Sequence, residues 1–427
     1  MTTEYTAYFP FGGLGAGALG FISSRVRIGA ETATVRSLGG FDCDSLACED
    51  FEQLTGSPSL CVRVEDLTPE ELRKHAGEKA PDIIFASPPC KGASRLLRRV
   101  HVRRDKYVAM NELALVWLRL MLGTWDKPPR LVLIENVPLL RGRAGDMVGT
   151  LTQLLRGAGY AVTEGFHDCG EIGGLAQRRR RWLLVARHMG STDALLYEPP
   201  KRRVRGCGEV LGTLPTPGSP EGGPLHALPR LSWASWNRLA LIPPGGDWRD
   251  CPGVLREGQA RREVFRRYLL ADWAKPSDTI AGGGTNGPYG VCDPRIPRTP
   301  EQAVAARDGA PKLAPVIATA DGTWHRPFTT LELAALQGIP TRVAAGPLTL
   351  AGSTSSARGR IGNAVPPPAA QAIADQMLTT LLSGDTGGFA LSGASGVWAE
   401  RDYAGAVRCS HSKNREVAIE HWNRASQ

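Results

Sequence analysis

The chain has 427 residues, 42% of them hydrophobic and 22% charged, a balance that allows a buried core and excludes disordered and fibrous classes. That length suits one large domain plus a smaller one; no apolar run reaches about 18 residues, and no basic start leads into an apolar stretch, so neither a membrane span nor a secretory signal is expected. Nine scattered cysteines, without a CxxC pair or zinc spacing, point to reduced thiols in a cytosolic setting and no structural metal, while a net charge of +9 points to a polyanionic partner.

In chain order, the first half alternates short apolar runs with helical stretches, the pattern of a parallel sheet with crossover helices. Strands are expected at 5–11, 34–42, 60–64, 82–86, 130–135, 161–167 and 181–186, and helices at 107–122 and 146–157. The first strand runs into Phe11-Gly-Gly-Leu-Gly-Ala-Gly17, whose glycines let the backbone pass close to a nucleotide-like ligand. Taken alone, a dinucleotide turn or a purely structural turn fits that segment as well. The second strand ends at Asp42, placed either to accept hydrogen bonds from ribose hydroxyls or to face solvent in a turn.

The fourth strand ends in Ala86-Ser-Pro-Pro-Cys-Lys91. Two prolines force a rigid, extended exit that presents Cys90 at the carboxyl edge of the sheet, and Lys91 and Arg95 favour its nucleophilic thiolate. A buried, inert cysteine is the alternative. The basic run continues through Arg98, Arg99, Arg103, Arg104 and Lys106 and suits phosphate contacts, although a solvated basic helix face has the same composition. Further on, the apolar stretch Leu131 to Ile134 runs straight into Glu135 and Asn136. A carboxylate there needs either a salt-bridge partner or a task, such as proton donation or hydrogen bonding to a substrate ring. Arg178 to Arg181 then form an unbroken basic run.

After residue 188 the rhythm stops, and 190–320 is rich in Pro, Gly, Arg and Trp. Trp233, Trp236, Trp248, Phe265, Tyr268 and Trp273 argue for a loop-rich domain with something to pack rather than a disordered linker. Helices return at 330–338 and 367–382, the latter with Pro in its first turn, and from Ser383 the chain reads as a small-residue tail.

The ordered set FGGLGAG, SPPCK, ENV, QRRRR (177–181), RPFTTLELAALQGIP (326–340) and GNAVPP (362–367) resembles the carbon-5 DNA cytosine methyltransferases, nearest in look to phage and prophage members. The resemblance covers roughly 5–188 and 321–382. It implies an α/β fold with a Rossmann-like mixed sheet of the S-adenosylmethionine-dependent methyltransferases and a second, loop-rich target recognition domain. The division it implies is a catalytic and cofactor-binding domain at 1–188, target recognition at 189–320, a segment returning to the catalytic domain at 321–385 and a tail at 386–427.

By the same resemblance, Cys90 is the nucleophile, Glu135 holds the cytosine ring, and Arg179 and Arg181 orient the cytosine carbonyl and the carboxylate. Phe11 stacks on the adenine of S-adenosylmethionine, Gly13 and Gly15 admit its methionine part, Asp42 holds the ribose, Asp66 meets the adenine amino group, and Pro89 and Asn363 complete the pocket. The implied partner is duplex DNA, with the target base flipped out of the stack, no metal, a monomeric enzyme and a place in the cytoplasm of a bacterial host. Methylation of transfer RNA by the same machinery and a catalytically silent DNA-binding protein are the other two functions to weigh. The large middle region argues against the first and the intact Cys90, Glu135, Arg179 and Arg181 against the second. The chain departs from the family pattern at Phe9, usually acidic, at Ala16, usually glycine, at Lys91, usually Gln, and at Ala93, usually aromatic.

Overall fold

The computed structural model describes residues 1–89, 105–192, 194–229, 242–247, 269–282, 288–295, 317–318, 324–387, 397–401 and 407–408. Cys90, Lys91, Ala93, the basic residues Arg95 to Arg104, and five of the six aromatic residues of the middle region lie outside the described residues; Trp273 lies within them. The chain divides into two compact units, Met1–Gly173 with Arg180–Lys201 and Pro367–Gln427, and Gly174–Arg179 with Arg202–Pro366.

The first unit is built on β1 (Thr2–Pro10), β2 (Arg25–Ile28), β3 (Glu31–Asp42), β4 (Ser59–Cys61), β5 (Ile83–Ala86), β6 (Leu131–Asn136), β7 (Tyr160–Asp168) and β8 (Arg180–His188). They form one sheet in the order β2-β3-β1-β5-β6-β8-β7, with β4 on β3. Along β4-β3-β1-β5-β6 each strand pairs parallel with the next, but β2 is antiparallel to β3, and β8 is antiparallel to both β6 and β7. The sheet is therefore mixed rather than purely parallel. The hairpin β2–β3, which the strand–helix rhythm does not predict, closes through Gly29 in the left-handed region (φ 60°).

Helices α1 (Ala16–Ile22), α2 (Ser45–Thr55), α3 (Pro69–Ala76), α4 (Asp105–Thr124), α5 (Leu140–Arg143), α6 (Gly145–Gly157) and α7 (Cys169–Gly173) connect the strands. One sheet face packs Tyr8, Phe41, Ile84, Val132, Ile134, Trp182 and Leu184 against Leu72 of α3, Trp117, Leu118 and Met121 of α4, and Leu151 and Leu155 of α6. Six consecutive residues of β6 are buried, as expected of a central strand covered on both faces. The expected strand at 60–64 is shorter than its apolar pattern: β4 stops at Cys61, and Val64–Asp66 makes a single 3-10 turn.

The second unit contains α8 (Cys207–Leu211), a sheet of β10 (Leu269–Ala271), β11 (Pro288–Val291), β12 (Ile317–Ala318) and β13 (Trp324–Pro327) in the order β10-β11-β13-β12, and a short ladder, β14 (Arg342–Val343) with β15 (Gly346–Pro347). Helices α9 (Thr330–Leu336) and α10 (Thr354–Asn363) belong to it as well. Its middle is polar. Arg326 and Glu332 are wholly buried and meet through two hydrogen bonds of 2.8 and 2.6 Å, while Arg326 also reaches Asp293 at 2.7 Å. Glu332 closes a capping box with Thr329, whose hydroxyl lies 2.8 Å from His226 Nδ1.

In the first unit, α11 (Pro367–Thr386) packs on α1 and α7 and is anchored at its far end, where Asp385 accepts from Tyr5 at 2.7 Å and from Nη1 and Nη2 of Arg130. Beyond it, in the stretch expected to be a small-residue tail, two short strands are described. Residues of β16 (Val397–Arg401) pair with β9 (Leu196–Tyr197) and with β17 (Val407–Arg408), and Trp398 is buried against His167.

Candidate active site

In the first unit the strand order reverses around β1, which has β3 on one side and β5 on the other, so the loops leaving the carboxyl ends of these strands border the crevice where α/β sheets bind ligands. Phe11 to Gly15 leave β1, Asp42 ends β3, Ser87 to Pro89 leave β5, and Glu135 lies near the end of β6. Four separate sequence stretches thus converge on one sheet edge.

The turn after β1 is a strained one. Phe11 is the one non-glycine described residue at positive φ (55°), and Gly13 (54°) and Gly15 (84°) share that region. A Cβ on Gly13 would meet no atom, so the space beside it is open, whereas one on Gly15 would press on Phe51 and Thr55. The Phe11 ring is braced edge-on by Phe41 at 5.2 Å and Trp117 at 6.3 Å. Asp42 accepts from Gly13 N–H at 3.0 Å on one carboxylate oxygen and from Asp44 N–H at 3.1 Å on the other. Burial raises its pKa even though these backbone hydrogen bonds pull it down. An open glycine turn, a braced aromatic ring and a carboxylate at the strand end fit an adenosine-bearing cofactor.

Of the other expected cofactor residues, Asp66 is exposed on the 3-10 turn, 3.9 Å from Arg63. Pro89 is half-buried at the end of the described β5 loop. Asn363 ends α10 in the second unit, where its amide occupies the space a Gly282 side chain would fill; the neighbouring Gly362 lies so close to the Ala281 carbonyl that only glycine fits. The departure at Phe9 has a plain physical reason. Phe9 is buried among Phe21, Phe51 and Phe85, an aromatic cluster in which a carboxylate would be unsolvated.

Glu135 is 6% exposed, and its Oε1 meets Arg181 Nε at 2.9 Å. Its Oε2 accepts from the Ser87 hydroxyl at 3.3 Å. The next residue, Asn136, donates from Nδ2 to the Pro88 carbonyl at 3.1 Å and accepts from Val137 N–H. The end of β6 is therefore tied at two points to the segment that leads into Cys90, which itself lies outside the described residues. Ser87 and Asn136 are contributions the sequence reading missed, although SPP and EN sit at the ends of adjacent parallel strands, which was the available signal.

Arg179 and Arg181, expected to orient the cytosine carbonyl and the carboxylate, have different partners. The Arg179 guanidinium, in the second unit, donates to the carbonyls of Ile280, Gly362 and Ala364 at 2.8–2.9 Å. Along 177–181 the chain is extended, so burial alternates: Gln177, Arg179 and Arg181 are buried while Arg178 and Arg180 are exposed.

These features define an α/β transferase of the Rossmann-like methyltransferase class. The profile of the C-5 cytosine-specific DNA methylases matches residues 11–205 and 274–379, and the chain belongs to that family. It is 24% identical over 374 residues to the type II methyltransferase M1.HphI of Haemophilus parahaemolyticus, covering 86% of this chain and 85% of that one. It is 25% identical over 267 residues to the type II methylase M.HgiDII of Herpetosiphon aurantiacus, covering 59% and 72%. Among solved structures, it shares its fold with one described as a DNA modification methyltransferase encoded within an E. coli prophage (TM-score 0.60, 16% identity, 88% and 99% covered) and with the Entamoeba histolytica methyltransferase EhMeth (TM-score 0.57, 15% identity, 89% and 98% covered). Membership makes it a DNA (cytosine-5)-methyltransferase and implies S-adenosylmethionine as cofactor and DNA as substrate. No helix among the described residues is long and apolar enough to cross a membrane.

Proposed function

We propose that the protein methylates carbon 5 of cytosine within a specific duplex DNA sequence, extruding the target base and bonding it covalently to Cys90 during turnover. The observation that carries this reading is the buried Glu135 carboxylate, oriented by Arg181 and tethered to the Ser-Pro-Pro segment that runs into Cys90.

Carbon 5 of cytosine is a weak nucleophile. Addition of the Cys90 thiolate to carbon 6, with Glu135 hydrogen-bonded to ring nitrogen 3, turns the ring into an enamine with electron density at carbon 5. S-adenosylmethionine, when bound, supplies an electrophilic methyl group. Loss of the carbon 5 proton then expels Cys90 and restores the aromatic ring. Arg181 keeps the carboxylate aimed, and Phe11, Gly13, Gly15, Asp42, Asp66, Pro89 and Asn363 hold the cofactor. Arg179 acts at a distance, by ordering the backbone around Gly362 to Ala364 next to Asn363. Residues 189–320 read the DNA sequence, the protein works as a monomer, and its type II bacterial relatives favour the cytoplasm of a bacterial cell.

Tritium transfer from labelled S-adenosylmethionine to duplex DNA, with transfer RNA in parallel and nucleoside analysis of the product, tests the reading. Label recovered from DNA as 5-methylcytosine, and abolished in Cys90→Ala while DNA binding persists, is the expected result. Label confined to RNA, or turnover by Cys90→Ala, overturns it.

A further inference from the structure

The two oxygens of Glu135 have partners of unlike chemistry. Oε1 faces the fixed cation of Arg181, which can only donate and cannot take up a proton. Oε2 faces the Ser87 hydroxyl at 3.3 Å, a neutral group that both donates and accepts. A carboxyl that exchanges a hydrogen bond or proton with a substrate ring passes between two demands on its neighbours: a donor when it is ionised, an acceptor when it is protonated. Arg181 serves the first demand alone. Ser87 serves both by rotating its O–H, and it does so on the oxygen that Arg181 leaves free.

Ser87 is well placed to do this reliably. Its backbone N–H donates to Pro10 O at 3.4 Å, and the next carbonyl, of Pro88, is held by Asn136. Its backbone is thus fixed relative to the end of β6 by groups on either side, while its O–H remains free to rotate. A half-buried serine with its hydroxyl turned to a 6% exposed carboxylate has no need of that contact for solubility.

We propose that Ser87 is a positioning residue of the methyl transfer reaction, holding Glu135 Oε2 in line with the target ring in both hydrogen-bonding states of the carboxyl. The proposal rests on the role assigned to Glu135 above. Losing one hydrogen bond to a charged group predicts a kcat about 10-fold lower in Ser87→Ala. KM for DNA and the affinity for S-adenosylmethionine stay unchanged, because Ser87 touches neither in this reading. Ser87→Thr keeps the hydroxyl and recovers most of the loss.

The test is a double-mutant cycle on the full-length protein, reading single-turnover methyl transfer for wild type, Ser87→Ala, Ser87→Thr, Glu135→Gln and Ser87→Ala/Glu135→Gln, with thermal denaturation of each. The expected result is a slow Ser87→Ala, a rescued Ser87→Thr, and no further loss on adding Ser87→Ala to a slow Glu135→Gln. A slow Glu135→Gln with full additivity overturns the Ser87 proposal alone. So does a Ser87→Thr as slow as Ser87→Ala at unchanged melting temperature. A near-normal Glu135→Gln overturns the Glu135 assignment and the Ser87 proposal with it.

Discussion

Asp42 accepts a backbone hydrogen bond on each carboxylate oxygen, yet burial still lifts its pKa above the ordinary Asp value. Such a carboxyl stays proton-bound to a higher pH than an exposed one, so the charged acceptor for a ribose diol is lost earlier on acidification. Cofactor binding should therefore weaken as pH falls, through a midpoint above the usual Asp value of ~3.9. Asp42→Asn should lower cofactor affinity about 10-fold at neutral pH and flatten that pH dependence. Titration calorimetry across the acid range checks both; an unchanged slope in Asp42→Asn would remove Asp42 from the ribose site. The residue type at the strand end was readable from sequence, but the donor at Gly13 was not, because it comes from a distant turn whose left-handed φ angles depend on tertiary packing.

At the scale of elements, apolar runs bounded by turn residues located seven of the eight sheet strands. The signal failed for β2, whose Arg25-Val-Arg-Ile alternation has one exposed face and looks polar. It failed more thoroughly in the second unit, where buried polar groups that carry no periodicity sit beside the buried apolar residues. The Arg326–Asp293–Glu332 cluster is the clearest case. Burial acts to raise the Asp293 pKa, but hydrogen bonds from Arg295 and Arg326 overcome it and hold the carboxyl below the ordinary Asp value. Both carboxylates and the guanidinium are fully buried, so removing the cation strands Glu332 and leaves Asp293 with Arg295 as its remaining cation. Arg326→Met should cost about 3–5 kcal/mol of stability, and Arg326→Lys should recover only part, since it cannot make the paired contact with Glu332. Urea denaturation measures it; a loss below about 1 kcal/mol would mean that the cluster adds little beyond its desolvation cost.

On the scale of the whole chain, both compact units are discontinuous, and the short stretch Gly174–Arg179 belongs to the second although the chain on either side of it belongs to the first. Its hydrogen bonds hold that stretch within the second unit. Gln177 accepts from Ile280 N–H and donates to Gln337, which in turn holds the Ile361 carbonyl, while Arg179 caps the carbonyls of Ile280, Gly362 and Ala364. A motif that reads in sequence as one basic run thus divides by position: Gln177 and Arg179 order the second unit, and two residues further on Arg181 orients Glu135 in the first. Charge alone could not separate these roles, because Arg179 and Arg181 share the buried face of one extended stretch and differ only in the groups they meet there. The separation is measurable. Arg179→Ala leaves three carbonyls without their donor, each worth about 1–3 kcal/mol when left buried and unpaired. Amide hydrogen exchange on the full-length protein should then show protection lost from 174–179 and 202–366 while the strands of 1–173 keep theirs. Arg181→Ala should do the reverse, abolishing methyl transfer while sparing protection in the second unit. Equal loss of protection in both units from Arg179→Ala would mean that the chain unfolds as one body and that the division of labour along 177–181 is not energetic.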